Sequence, residues 1–269
     1  PTGFAIHPGT SVTIPLRGPD SAELNQIMNE AGTAAAGTTA FHLAAAEDWA
    51  RGADDAHNIV DATANDVTVS NVAVPTITSI TYDAGTGTLV VTGTGFTKFA
   101  GATNDIDVSK FTFTGAGGTY TLTSATDVEI TSGTAFTLTL SAADKAALNL
   151  IMNKNGTASN DTVAYNLNAA EDWARGADAA INVVDATANS VTVSNVAVPT
   201  ITSSTYDAST GSLVVTGTGF LSKSGATNDI TANKFTFTGE GGATYTLTDS
   251  SNVEVTSGTS FTLTLSATD

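Results

Sequence analysis

Thr, Ser and Asn alternate with Val, Ile, Leu and Phe along most of this chain, as in TITSITYD (76–83), TLVVTG (88–93), KFTFTG (110–115), TYTLT (119–123), VEIT (128–131) and FTLTLS (136–141). A period of two puts successive side chains on opposite faces of a strand, so each stretch predicts a strand with one face to a core and one to water. Turn-forming letters separate them, among them DAGTG (83–87) and TSGT (131–134). About seven short strands at this spacing predict a β-sandwich of the immunoglobulin-like kind. One stretch breaks the period. DKAALNLIMNKNG (144–156) has Leu148, Ile151 and Met152 at helical spacing, with Asp144 as the expected N-cap and Gly156 as the stop. Asp20, Leu24, Ile27, Met28 and Gly32 repeat it, so a short helix is expected to plug one end of each sandwich.

The stretches themselves recur. VTVSNVAVPTITS stands at 67–79 and 191–203, GATND at 101–105 and 225–229, KFTFTG at 110–115 and 234–239, and AAEDWARGAD at 45–54 and 169–178. The offset is about 124 residues, longer by a single residue after Gly242, where Ala243 is inserted. GTSVTIPLRGPDSAELNQIM (9–28) aligns in the same way with GTAFTLTLSAADKAALNLIM (133–152) as a more diverged copy, and the hairpin at 128–140 has counterparts at 4–16 and 253–265. The expected fold class is therefore all-β: tandem immunoglobulin-like β-sandwich modules of about 124 residues, each with one short inserted helix and a long acidic loop. Division at Val74–Pro75 and Val198–Pro199 gives the closing part of a diverged first module (1–74), a complete module (75–198) and the opening part of a third (199–269). Division at the hairpin instead gives units near 11–134 and 135–258.

Charge narrows the partners. Nine Lys+Arg against 26 Asp+Glu leave a net charge of −17, which repels a nucleic-acid backbone and suits a chain kept soluble by self-repulsion or screened by divalent cations. The absence of Cys excludes disulfides, thiol nucleophiles and zinc–thiolate sites, and no apolar run of about 18 residues reads as a membrane span. His7, His42 and His57 all lie in the diverged first copy, where the next copy has Thr131, Asn166 and Ile181, so no repeated function depends on them. No GxSxG-type stretch frames a Ser, and the TGTGF runs at 92–96 and 216–220 lack both the third Gly of a dinucleotide fingerprint and a following helix. No acid, base or nucleophile set converges, and the chain is expected not to be an enzyme.

The repeated AAEDWARGAD block has Glu47 and Arg51 at helical i, i+4 spacing, with Trp49, or Trp173 in the second copy, expected to anchor a capping loop in the core. If strands follow the chain in immunoglobulin-like order, the loop at 101–107 and the long acidic segment share one pole. Asp105, Asp107, Glu171, Asp172, Asp178 and Asp185 then form a candidate calcium pole, with Arg175 as the nearby cation. Against it stand Asp107, replaced by Thr231 in the next copy, and the lack of an EF-hand loop. Lys110 and Lys234 occupy equivalent places at the start of a strand; they read as snorkelling side chains, with a crosslink near Glu129 or Glu254 as the alternative.

ITSITYDAGTGTLVVTGTGF, GATNDIDVSKFTFTG and TLTLSAADKAALNLIMNKNG together resemble the tandem immunoglobulin-like repeats of very large bacterial surface proteins, and the resemblance covers nearly the whole chain. It implies an exported, extracellular spacer of an adhesin-like or biofilm-associated protein and supplies no catalytic residues. Three readings follow: a calcium-stiffened spacer whose partners are its neighbouring modules, a self-assembling filament or surface-layer subunit with strand exchange between protomers, and a carbohydrate-binding adhesion module.

Overall fold

A computed structural model describes residues 11–50, 60–177 and 183–269. The described residues are mostly β-sheet with two short α-helices, an all-β sandwich architecture. The 75–198 stretch holds β3 (Thr76–Asp83), β4 (Thr88–Thr94), β5 (Phe111–Gly115), β6 (Gly118–Thr121), β7 (Ile130–Ser132), β8 (Ala135–Thr139), α2 (Ala142–Ile151), β9 (Asn166–Ala169) and β10 (Asp185–Ser194). Its strand order is β6-β5-β9-β10-β3-β4-β8-β7. The long β10 joins the two layers: its first part pairs antiparallel with β9 and its last part parallel with β3.

The alternation read in the sequence decides which side chains go inward. Ile80, Tyr82, Leu89, Val91, Phe111, Phe113, Phe136, Leu138, Leu167, Val191 and Val193 fill one core, while the Thr and Ser between them face out or pair across strands, as Thr112 does with Thr121 at 2.7 Å. The register of β3 on β4 shifts between Ile77 and Ser79, opposite Gly93. A side chain at Gly93 would run into the Thr76 carbonyl and the Phe96 ring, which is why the TGTGF stretch carries glycine there.

Helix α2 contributes Leu148, Ile151 and Met152 to that core, but its ends differ from the sequence expectation. The N-cap is Ser141, whose Oγ accepts from the Asp144 N–H at 3.0 Å, and Asp144 sits at the third helical position. Ser141 Oγ in turn donates to Asp144 Oδ2 at 3.1 Å, so the pair holds the first turn side chain to side chain as well as through the cap. The helix stops at Ile151, and Gly156 lies beyond it, bridged to Val193.

Before this unit lie α1 (Gly18–Ile27), β1 (His42–Ala45) and β2 (Asp61–Asp66), the last two forming an exposed antiparallel pair. Helix α1 starts after Arg17, with no side-chain cap. The first hairpin copy expected at 4–16 lies largely outside the described residues, and 11–17 form no regular structure. After the unit come β11 (Thr200–Asp207), β12 (Ser212–Thr218), β13 (Thr236–Thr238), β14 (Thr244–Thr246), β15 (Val255–Ser257) and β16 (Ser260–Thr264). They form a β11-β12-β16-β15 sheet and a β13-β14 pair around a second, smaller core that includes Leu213, Val215, Phe220, Phe261 and Leu263.

Candidate functional site

Trp173 organises the pole of the 75–198 unit at which the chain enters. Its indole is buried against Phe96, Phe111 and Phe136, with ring centroids 5.8, 6.0 and 6.4 Å away. Seating it draws 170–177 into consecutive turns instead of the helical turn expected from the Glu171 and Arg175 spacing, and Asp172 takes φ 65°. The turns are stitched to the preceding loop by backbone bonds, Asp107 N–H to Trp173 O at 2.8 Å and Arg175 N–H to Asp105 O at 2.9 Å. Arg175 therefore faces away from Glu171, and its Nη2 lies 2.9 Å from both Asp107 Oδ2 and Asp127 Oδ2. Trp49, expected as an anchor like Trp173, is instead 56% exposed.

Four of the six carboxylates of the candidate calcium pole, Asp105, Asp107, Glu171 and Asp185, have their own donors. Asp105 is buried, accepting the Phe99 N–H at 2.6 Å on one oxygen and the Ile130 N–H at 3.0 Å on the other. Burial raises its pKa and the adjacent Glu129 carboxylate raises it further, against the two N–H groups that lower it. Asp107 goes the other way: partial burial is outweighed by hydrogen bonds from Ser109 and Arg175, and its pKa falls. Glu171 accepts from Val183 N–H at 3.1 Å, and Asp185 accepts from Ile77 N–H at 2.6 Å and Asn189 Nδ2 at 2.9 Å. Asp172 and Lys110 line a shallow opening with Phe99 and Arg175, and Asp178 lies outside the described residues. Among the described residues no group of three or more His, Cys, Asp and Glu side chains is arranged to hold a metal ion.

Lys234, the counterpart of Lys110, is exposed, and Glu129 and Glu254 accept the backbone N–H groups of Asn104 and Asn228 at 2.8 and 2.6 Å. His42 Nδ1 stands 3.4 Å from Asp66 on the exposed β1–β2 pair, while His7 and His57 lie outside the described residues.

Two further sites, at the ends of the 75–198 unit, were not singled out from sequence. At the first, Lys98 N–H donates to the Gln26 carbonyl at the end of α1 (2.7 Å), and the buried Asn29 donates Nδ2 to the Lys98 carbonyl (2.6 Å) while its Oδ1 accepts from Ala36 N–H (3.4 Å). At the second, Ser222 N–H donates to the Leu150 carbonyl in α2 (2.9 Å), and Asn153 donates to the Ser222 carbonyl (2.6 Å) and accepts from Asn160 N–H (3.2 Å). Every atom of the second set is the counterpart of one in the first. The second also has Ser224 N–H on Asp161 Oδ2 (2.7 Å), Gly117 N–H on Ser224 Oγ (3.0 Å) and Tyr165 OH on Asn153 Oδ1 (3.1 Å). Hydrogen bonds from Ser159 and Ser224 hold the Asp161 pKa down at about 2. Clefts of about 380 and 390 Å³ flank the two contacts at equivalent places, the first bordered by Gln26, Ala73 and Phe96 and the second by Leu150, Ala197 and Phe220.

The side chains at the pole and at both contacts bond to backbone groups and to one another, an arrangement that ties loops and helices together. Comparison with protein-family models, with curated proteins and with solved structures finds no match to this chain.

Proposed function

We propose that the chain is a non-catalytic repeat region of an exported bacterial surface protein, an extracellular spacer built from immunoglobulin-like modules whose step from one module to the next is fixed. The strand order supports the module type: β3-β4-β8-β7 on one layer and β6-β5-β9-β10 on the other correspond to the ABED and C′CFG sheets of that sandwich. The observation that carries the spacer reading is the pair of equivalent contacts, Gln26–Lys98–Asn29 and Leu150–Ser222–Asn153. In a quasi-one-dimensional array each unit touches only its neighbours, so an identical contact at each step sets reach and stiffness. The net charge of −17 keeps such an array soluble through self-repulsion.

The chain has no native Cys, so spin labels can be placed at will. Labels at Thr137→Cys and Thr262→Cys, equivalent exposed positions on β8 and β16, should give one narrow distance distribution that broadens on Asn153→Ala. A distribution already broad with Asn153 intact would overturn the fixed-step reading.

A further inference from the structure

In a tandem spacer, tension enters the 75–198 unit at Val74 and leaves it at Pro199, so the load falls first on β3, which follows the one, and on β10, which precedes the other. These two strands lie side by side and run parallel, with Ile80 beside Val191, Thr81 beside Thr192, Tyr82 beside Val193 and Asp83 beside Ser194. Parallel pairing sends the two ends out at opposite poles, about 20 Å apart along strands rising ~3.3 Å per residue. Pulling the ends apart therefore slides β3 against β10 and loads their bonds together. An antiparallel pairing of the two, like that of β9 with β10, would put both ends at one pole, where tension opens the ladder one bond at a time.

The contact is fastened beyond its ladder. At its beginning the buried Asp185 carboxylate accepts the Ile77 N–H at 2.6 Å. At its end Ala84 N–H donates to the Ser194 carbonyl at 2.9 Å, and Asn195 Nδ2 donates to Asp83 Oδ2 at 2.9 Å. The far side of β10 is held as well. Val191 N–H donates to the Tyr165 carbonyl at 3.0 Å, Val193 and Gly156 exchange N–H to carbonyl bonds of 2.8 and 2.9 Å, and Val196 N–H donates to Asn155 Oδ1 at 3.0 Å. Strand β10 is thus kept from lifting off the sheet to relieve a pull, while Ile80, Tyr82, Val191 and Val193 bury the inner side of the contact in the core. The repeat pattern carries the same emphasis. VTVSNVAVPTITS, the longest stretch repeated without a change, runs at 191–203 from the last part of β10 through the junction into the first strand of the next unit, and stands likewise at 67–79.

We propose a further function for the 75–198 unit: it bears tension between its neighbours, with the parallel β3–β10 contact as a clamp that must slide before the rest of the unit can unfold. The proposal rests on the spacer reading in one respect, that the pull arrives through Val74 and Pro199. Forced unfolding is governed by the unfolding rate rather than by equilibrium stability, so the clamp is a property of direction. It resists a pull along the strands and yields to one that opens the contact from an end. The four registered pairs give way together in the first case and singly in the second, which sets the expected ratio of forces at about four.

The test is single-molecule force spectroscopy on the full chain, with handles on pairs of introduced cysteines at exposed positions. Val74→Cys with Val198→Cys pulls along the strands. Thr86→Cys with Val198→Cys pulls from the turn after β3 and from the end of β10, which lie at the same pole, and peels the contact. At equal loading rate the first pair should rupture at about four times the force of the second, with the same Tm for both. A third form tests the contact itself. The N–H groups of Val191 and Val193 go to Tyr165 and Gly156, so that of Thr192, one residue between them, faces β3. Thr192→Pro removes it at an exposed position and should bring the first force down toward the second. Equal forces in the two directions, or a first force unchanged by Thr192→Pro in a folded chain, would overturn the proposal; should Thr192→Pro not fold, the comparison of directions decides alone. Either failure leaves the label-distance test of the fixed step standing, because that test reads placement between units and this one reads a contact within a unit. A broad label distribution in turn leaves the force comparison intact.

Discussion

Removing the Asp144 carboxylate should unfasten α2 from the sheet. The side chain is fully buried and accepts from Tyr120 OH (2.7 Å), Thr123 N–H (2.9 Å), Thr123 Oγ1 (3.2 Å), Ser124 N–H (3.0 Å) and Ser141 Oγ (3.1 Å). Hydrogen bonds to a charged group are worth about 1.5–3 kcal/mol singly, but these share one acceptor and their losses do not add. Leaving buried donors unsatisfied costs about 1–3 kcal/mol each and less than the sum together, so Asp144→Ala should lose about 3–4 kcal/mol, or roughly 12–16 °C in Tm at ~4 °C per kcal/mol for a unit of this size.

The ionic share of that loss can be isolated. Burial opposes the charge, yet the donors from Thr123, Tyr120, Ser124 and Ser141 pull the pKa to about 2, against 3.8 for an ordinary aspartate. That difference is worth about 2 kcal/mol. Because the folded value is the lower one, this stability is present above pH 3.8 and is lost as pH falls through about 2. Asp144→Asn keeps the shape and removes the charge, so its deficit against the unsubstituted chain should approach 2–3 kcal/mol at neutral pH and shrink steadily in acid. Urea unfolding followed by Trp173 emission in a Trp49→Phe background reads this unit alone. A deficit constant between neutral pH and pH 2, or an Asp144→Ala loss under about 1 kcal/mol, would refute the reasoning.

The two tryptophans should separate sharply in a stability assay: Trp173→Ala should cost about 3–5 kcal/mol in urea unfolding, and Trp49→Ala less than about 0.5 kcal/mol in the monomeric chain. Arg175→Gln leaves Asp107 and Asp127 facing each other and should cost about 1 kcal/mol, a partly exposed pair being weak; the loss should nearly vanish at about 1 M salt, where the Debye length is ~3 Å. Calorimetry in EDTA and in millimolar Ca²⁺ should give the same Tm, since Asp105, Asp107, Glu171 and Asp185 already have donors; a rise with Ca²⁺ would show that Asp178 and Asp172 complete a site with them.

Strand positions were legible because the alternation of Thr with large apolar residues survives burial on one face, and Phe111, Phe113, Phe136 and Leu138 all turn inward as their period requires. The fate of the acidic residues was not. GATNDID reads as a loop offering Asp105 and Asp107 to a calcium pole, yet Asp105 is pulled inside by the N–H groups of Phe99 and Ile130, the second of which is distant in sequence. Spacing alone paired Arg175 with Glu171, whereas packing of Trp173 replaced the helical turn that spacing assumes and sent the guanidinium to Asp107 and Asp127. For α2 the signal was present: Ser141 three residues before Asp144 is a capping pattern. Asn29 and Asn153 also had a signal, being the same polar residue directly after the repeated Ile-Met pair that ends each helical stretch.

In the proposed spacer, that identity lets one step be kept while the copies drift. At the two contacts the backbone atoms come from residues that differ, Gln26 against Leu150 and Lys98 against Ser222, and only their N–H and carbonyl groups are used. Backbone groups are the same whatever side chain they carry, so substitutions at those positions leave the bonds intact. Asn is the member that cannot drift freely, because its amide must donate to one carbonyl and accept from an N–H at once, which neither Asp nor Leu can do. Divergence should therefore accumulate on the outward Thr and Ser positions and on α1, whose face is far more exposed than that of α2, before it reaches Asn29 or Asn153. Asn29→Asp tests the point at the more diverged contact: it retains the acceptor for Ala36 N–H, replaces the donor to Lys98 O with a repelled carboxylate, and should loosen α1 without unfolding the 75–198 core. Hydrogen exchange would show this as faster exchange at Lys98 N–H with unchanged protection at Val91 and Phe113; loss of protection in all three together would mean that the contact is part of the core rather than a joint between units.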